Sequence, residues 1–275
     1  MRGGECVLGE RTWLMGVLNV TPDSFSDGGR FIDTQAAVDW GLAMFSEGAD
    51  VVDVGGESTR PGGASRVDVA AEIARVVPVV RALRENSVGW ISVDTTKAAV
   101  AEEALAAGAD MVNDVSALRF DPAMAQVVAR AGVPVVLMHS RGEFADLHHV
   151  PSYVDVAHEV GSELRNALTH AVASGVAHDQ IVLDPGLGFA KNALHSLDML
   201  RRLDELALLD RPLLVGPSRK SFIGHTLGRP VGERLMGTAA AVAGAVLGGA
   251  HMVRVHDVGP LRDVVRLCDA LRGEA

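Results

Sequence analysis

Residues 15–29 read MGVLNVTPDSFSDGG, an apolar run that stops on Asn19 and passes at once into a polar loop closed by glycines. In an extended strand successive side chains alternate sides, so Met15, Val17 and Asn19 share one face and Asn19 stands at its C-terminal tip. The same figure recurs down the chain. Apolar runs end on Asp53, Asp94, Asn113, His139, Asp184 and His256, and another ends at Gly216 just before Ser218, Arg219 and Lys220. Most are followed by a helical pattern, and eight strand and helix pairs result. This order predicts an α/β protein, a single (β/α)8 TIM barrel spanning residues 1–275, with its active site at the C-terminal ends of the strands.

Between the strands, Thr34 reads as the cap of a helix with apolar residues at Ala37, Trp40, Met44 and Phe45. Asp121 and Pro122 read as cap and first-turn proline of the fourth helix. The stretch 231–247 reads as one helix, and Pro260 as the start of the last. TPDSFSDGGRFI after Asn19 and ESTRPGGASRVD after Gly56 are long polar loops with glycine and proline, suited to cover a site. RGEFADLHHVPSY is a third irregular stretch, whose His148 and His149 read as surface residues.

Composition narrows the class of function. With 275 residues, 48% of them hydrophobic, the chain can bury one large core. A net charge of -10 argues against nucleic acid or an anionic membrane as the main partner, since either needs a broad basic face. Cys6 and Cys268 sit near opposite ends in unrelated contexts, so neither a disulfide framework nor a zinc cluster is signalled, and reduced thiols in a cytoplasmic protein are expected. No apolar run approaches the ~20 residues of a membrane span, and the N-terminal MRGGECVLGERTW lacks the apolar core of a signal peptide.

Period-two alternation places Asn19, Asp94, Asn113, Asp184, Arg254 and His256 on the inward face of their strands, where barrels normally hold Val, Ile or Leu. A buried polar group without a partner costs roughly 1–3 kcal/mol. One such group alone can be bonded to a neighbouring loop; six at one end of a barrel imply a shared ligand. The Asp184 carboxylate can face two parallel N–H donors, as on the amidine-like edge of a flat heterocycle, while Asp94 offers acceptors and Asn113 both a donor and an acceptor. Lys220 reads either as a donor to a carbonyl on the opposite edge or as a solvated lysine. Arg254 and His256 lie side by side, two residues apart on strand eight, a sensible cradle for phosphate. Asn19 and Asp23 offer oxygens for Mg²⁺, although Asp23 in TPDS equally suits a turn. Ser218 and Ser221 have no His nearby in sequence and neither cysteine ends a strand, so covalent catalysis is unsupported.

At these residues the chain resembles the dihydropteroate synthase family, through GVLNVTPDSFSDGG, DVGGESTRPG, ISVDT, NDVS, MH, LDPGLGFAKN, GPSRKSFIG and RVHDV in that order. The resemblance implies condensation of 6-hydroxymethyl-7,8-dihydropterin diphosphate with 4-aminobenzoate, Mg²⁺ as cofactor and a homodimer. It implies a pterin pocket of Asp94, Asn113, Asp184 and Lys220 with Met138 and Phe189 near the ring. It further implies a diphosphate site of Thr59, Arg254 and His256, with Asn19 on the metal and Lys220, Arg254 and His256 as the catalytic set. The aminobenzoate would lie near Phe25, Arg60 and Pro61, with Ser221 receiving its carboxylate. One departure is visible. After MH the family often has a Met-Gln pair, where this chain has SRGEFADLHHVPSY. Two other readings compete, a pterin-binding methyltransferase barrel serving a corrinoid protein and a catalytically silent pterin-binding paralogue. The SRKS loop, the RVH pair and the intact TPDS and STRPG segments favour the synthase.

Overall fold

A computed structural model describes residues 7–21, 34–59, 66–149 and 151–273. Its eight strands are β1 Trp13–Asn19, β2 Val51–Gly55, β3 Trp90–Asp94, β4 Met111–Asp114, β5 Val135–Met138, β6 Ile181–Asp184, β7 Leu214–Val215 and β8 Met252–Val255. All pair in parallel, in the order β6-β5-β4-β3-β2-β1-β8-β7. A bridge between Leu183 and Leu213 joins β6 to β7 and closes the ring. The predicted barrel is therefore the observed one.

The register shows why the chain alternates as it does. Met15 pairs with Val51 and Val17 with Asp53, then Asp53 with Ser92, and Asp94 with Asn113, so these residues form successive interior rows. The lower interior is an apolar plug of Met15, Val51, Met111, Val136, Val182, Leu214 and Met252. Trp13 and Trp90 meet edge to face across its lower end, with ring centroids 5.7 Å apart. The outward residues of the same strands, including Leu18, Val52, Ile91, Val112 and Leu137, are buried against the surrounding helices. Two residues above the plug the interior turns polar, and the candidate site begins there.

The described helices are α1 Thr34–Glu47, α2 Val69–Asn86, α3 Ala98–Ala107, α4 Met124–Ala131, α5 Val156–Ala173, α6 Ala193–Arg201, α7 Ser221–Leu227, α8 Leu235–Leu247 and α9 Val258–Arg272. Side-chain caps start several of them: Asp68 accepts from Ala70 N–H at 3.0 Å, Asp155 from His158 N–H at 3.0 Å and Asn192 from His195 N–H at 2.8 Å. Four expectations need correction. Trp40 is 49% exposed, because α1 buries the small stripe of Ala37, Val38, Gly41 and Met44. A Cβ on Gly41 would come within 2.8 Å of Leu83, so close packing of α1 on α2 selects the stripe and leaves Trp40 outside it. Asp121 does not cap α4; it accepts from Ala123 N–H at 3.0 Å and reaches back to Ala98 N–H at 2.8 Å, capping α3 instead. Ser221–Leu227 is a helix, ended by Gly228 in the left-handed conformation, and the stretch after it is a short 3-10 turn, Val231–Glu233, before α8. The last helix begins at Val258, with Pro260 inside its first turn.

Candidate active site

The floor of the barrel mouth is a charged network. Asp53 is fully buried on β2, and its Oδ2 accepts from Arg254 Nε at 2.7 Å and from Asn113 Nδ2 at 2.9 Å. Arg254 also donates from Nη2 to Asp94 Oδ2 at 2.8 Å. A carboxylate only accepts, so the Asn113 amide must turn its nitrogen to Asp53 and its oxygen away. The Asn113 oxygen is thus the acceptor directed away from Asp53. Arg254 spends two of its five N–H groups on this floor. Burial pushes the Asp94 carboxyl up to about 7, against the pull of Arg254 and with the negative charge of Asp53 adding to the rise.

A second wall comes from β6, β7 and the loops above them. Burial raises the Asp184 carboxyl, opposed by Lys220 and by the Gly186 N–H that donates to Asp184 Oδ1 at 2.7 Å. Lys220 is half-buried rather than solvated. It donates to the Leu187 carbonyl, its Nζ stands 4.6 Å from the Phe189 ring centroid, and burial lowers it to about 8 against the pull of Asp184. Met138 and Phe189 fall into one apolar cluster with Val115, Phe144 and Leu147, so the two residues expected near the ring do come together.

The loop that carries Phe189 is held from below. Lys191 is buried and its Nζ lies 2.8 Å from His139 Nδ1 and 3.2 Å from the carbonyls of Gly186 and Phe189. His139 Nε2 in turn lies 3.0 Å from Glu163 Oε2, and Arg141 pairs with Glu163 and Glu159. An ammonium donating into Nδ1 leaves the His139 hydrogen on Nε2, facing Glu163. Burial lowers His139 to about 4, with the Lys191 charge adding to the fall, and burial lowers Lys191 to about 7. At Gly186, φ is +65° and an added Cβ would stand 2.0 Å from the His139 carbonyl oxygen, so only glycine fits this close approach.

His148 is a further correction. It is half-buried, stacks on Phe189 with centroids 5.0 Å apart, and places Nδ1 3.2 Å from the Gly188 carbonyl and Nε2 2.5 Å from the Thr59 carbonyl. It therefore joins the stem of the second long loop to the loop bearing Phe189. The base of that second loop is clamped as well. Glu57 accepts from Val67 N–H at 2.6 Å and from Lys97 Nζ at 2.7 Å, and Lys97 also pairs with the fully buried Glu72.

On the remaining side, His256 is half-buried with Nδ1 3.0 Å from Ser218 Oγ. The barrel supplies to Ser218 the histidine that its sequence neighbourhood lacks, because β7 and β8 are adjacent. Asn19 ends β1 opposite Gly55 and is half-buried. Ser221 is exposed at the start of α7, next to Lys220. Asp23, Phe25, Arg60, Pro61 and Cys6 lie outside the described residues. Among the described residues no group of three or more His, Cys, Asp or Glu could hold a metal ion. Asn19 supplies one amide oxygen, and a donor set that small fits Mg²⁺, which keeps several waters and shares phosphate oxygens.

Asp53, Lys191, His139 with Glu163, and His148 are the groups to which sequence reasoning gave no site role. Asp53 and His139 carried a signal, since both end apolar runs as the assigned residues do. Lys191 and Glu163 carried none, because their partners lie 52 and 24 residues away along the chain.

Comparison with known proteins decides the family. The model of the pterin binding enzyme family matches residues 15–256. The chain belongs to this family. It is 49% identical over 264 residues to the dihydropteroate synthase of Mycobacterium leprae, covering 94% of this chain and 92% of that protein. Among solved structures, Xanthomonas albilineans dihydropteroate synthase with 4-aminobenzoic acid superposes with a TM-score of 0.89 at 43% identity, covering 95% of this chain and 93% of that one. The same enzyme in complex with 7,8-dihydropteroate gives 0.86 at 40% identity, covering 95% and 94%. Pterin-binding family membership thus accounts for a barrel whose mouth is lined by acceptors.

Proposed function

We infer that this chain condenses 6-hydroxymethyl-7,8-dihydropterin diphosphate with 4-aminobenzoate, giving 7,8-dihydropteroate and pyrophosphate. The observation that carries the reading is the floor on which Arg254 meets Asp94 and, through Asp53, Asn113, with the buried Asp184 within electrostatic reach of Lys220 and Lys220 over Phe189. Three acceptor side chains suit a heterocycle whose edge is rich in N–H groups, and the fork of Asp184 suits its amidine-like side. Lys220 is the donor for the ring carbonyl, and Met138 and Phe189 line the ring's surroundings.

Arg254 and His256, with Thr59, take the diphosphate. Arg254 is already held between two carboxylates, so it is positioned before the ligand arrives, and preorganised charge is most effective where a leaving group gathers charge. We propose that the bond to the diphosphate oxygen breaks largely before the amine attacks. An arylamine is uncharged near neutral pH, so no strong base is required of the protein. Asn19 is the residue for Mg²⁺, which when bound neutralises charge on the departing pyrophosphate. The 4-aminobenzoate would meet Ser221 through its carboxylate, with Phe25, Arg60 and Pro61 in the covering loops.

We also propose that the protein works in the cytoplasm as a homodimer. No helix among the described residues is long and apolar enough to cross a membrane. Leu227, Val231, Leu235 and Met236 are exposed together along α7, the turn after it and α8, an apolar surface suited to a second copy. Sedimentation of the wild type against Met236→Glu tests the dimer, with a shift to monomer expected. The function itself is tested by pyrophosphate release from the pterin diphosphate, with and without 4-aminobenzoate and Mg²⁺. Release that depends on both is expected, and none in their presence would reject the assignment.

A further inference from the structure

We infer that Ser218 is a positioning residue that fixes the His256 imidazole in one tautomer, with the hydrogen on Nε2 and Nδ1 held as an acceptor. The inference deepens the diphosphate role proposed for His256, and only its kinetic test rests on that reading.

Strands β7 and β8 run side by side, with Leu214 opposite Met252 and Val215 opposite Val253, and the chain beyond each brings Ser218 against His256. Ser218 is buried. Its Oγ lies 3.2 Å from the His256 backbone nitrogen and 3.0 Å from Nδ1 of the same residue. A serine hydroxyl has one hydrogen and two lone pairs. The backbone N–H can only donate, so it occupies a lone pair of Oγ. The hydroxyl hydrogen then needs an acceptor, and among the described residues Nδ1 is the one in reach. Donation into Nδ1 requires a bare lone pair there, which puts the ring hydrogen on Nε2 in the neutral imidazole.

The reverse arrangement would direct two donors, the backbone N–H and Nδ1–H, at one oxygen. It would leave the buried hydroxyl hydrogen unpaired, which is the more costly state for a polar group. An imidazolium would do the same, since both ring nitrogens then donate. In the neutral ring His256 accordingly carries its N–H on the other nitrogen, the form that a phosphate oxygen accepts. The positive charge opposite the diphosphate comes from Arg254.

Histidine-selective ¹⁵N labelling and long-range ¹H–¹⁵N correlation spectra read the tautomer directly, with the His256 signals assigned by their loss in His256→Gln. We expect Nε2–H in the wild type at pH 8, a mixture of tautomers in Ser218→Ala, and recovery in Ser218→Thr, which keeps the hydroxyl. In the kinetic test Ser218→Ala raises KM for the pterin diphosphate about tenfold, the size expected when one hydrogen bond to a charged ligand is lost. The Kd of a pterin without phosphates stays unchanged, and Ser218→Thr restores KM. A wild-type His256 bearing its hydrogen on Nδ1, or a tautomer that does not respond to Ser218→Ala, overturns the inference. A protein with no synthase activity would overturn the proposed function instead, while the spectra would still decide the tautomer.

Discussion

Asp53→Ala is the substitution that most sharply tests the floor of the site. It removes the acceptor for Arg254 Nε at 2.7 Å and for Asn113 Nδ2 at 2.9 Å. A hydrogen bond to a charged group contributes about 1.5–3 kcal/mol and a neutral one about 1 kcal/mol, so the direct loss is roughly 3–4 kcal/mol. Two effects offset it. Asp53 Oδ1 is buried without a partner among the described residues, and the Asp53 charge disfavours ionisation of Asp94. Relief of both returns about 1–2 kcal/mol. The net expectation is a fold weaker by about 2 kcal/mol, or about 4–8 °C in Tm for a chain of this length. With Asn113 free to turn over and Arg254 tied only to Asp94, affinity for a pterin without phosphates should fall at least tenfold. Asp53→Asn is the control, since its amide oxygen still accepts from both partners, and it should keep Tm within about 2–4 °C. A further signature follows from the charge alone: the Asp94 carboxyl, pushed up to about 7, should titrate lower in Asp53→Ala. Thermal denaturation, calorimetric pterin titration and the pH dependence of that binding give the three readings. An alanine variant with wild-type Tm, wild-type affinity and an unmoved inflection would refute the reasoning.

Three other outcomes are expected. Asp184→Asn sets an amide NH₂ against the donors of the heterocycle and should weaken pterin binding at least ~10-fold in a folded protein, measured by calorimetry, because a charge-assisted bond is replaced by donor against donor. His256→Ala should weaken the diphosphate substrate while leaving a pterin without phosphates unaffected; equal loss for both would remove the phosphate role. His139, lowered to about 4 in the folded chain from an ordinary value of 6.5, contributes stability that is present above 6.5 and is lost as pH falls toward 4. Relative to His139→Gln, the wild type should lose about 2 kcal/mol between pH 7 and pH 5 in denaturant titrations. The comparison with the variant is needed because Asp94, raised to about 7, acts with the opposite sign over the same range.

How much of this was legible in the sequence depends on the range of the interaction. Alternation along a strand is a property of neighbours, so it placed Asp94, Asn113, Asp184, Arg254 and His256 at the mouth without knowledge of any partner. Asp53 obeys the same rule, two residues beyond Val51, and its inward position was equally readable. Its role was not, because Arg254 and Asn113 lie 201 and 60 residues away and meet it only when the ring closes. Ser218 and His256, 38 residues apart, show the same limit. Helix α7 was missed for a different reason: seven residues between Lys220 and Gly228 give barely two turns, too few for a period to emerge.

The third irregular stretch shows what local pattern conceals when there is no period at all. His148 sits in the segment where this chain departs from the Met-Gln pair common in the family, and nothing in RGEFADLHHVPSY distinguishes it from His149. In the fold His149 is exposed while His148 stacks on Phe189 and spans two carbonyls, one on each of two loops. Two backbone carbonyls that lie far apart in sequence are thereby brought to one ring. The ring therefore ties the stem of the loop at Thr59 to Phe189, on the surface where the pterin is proposed to lie.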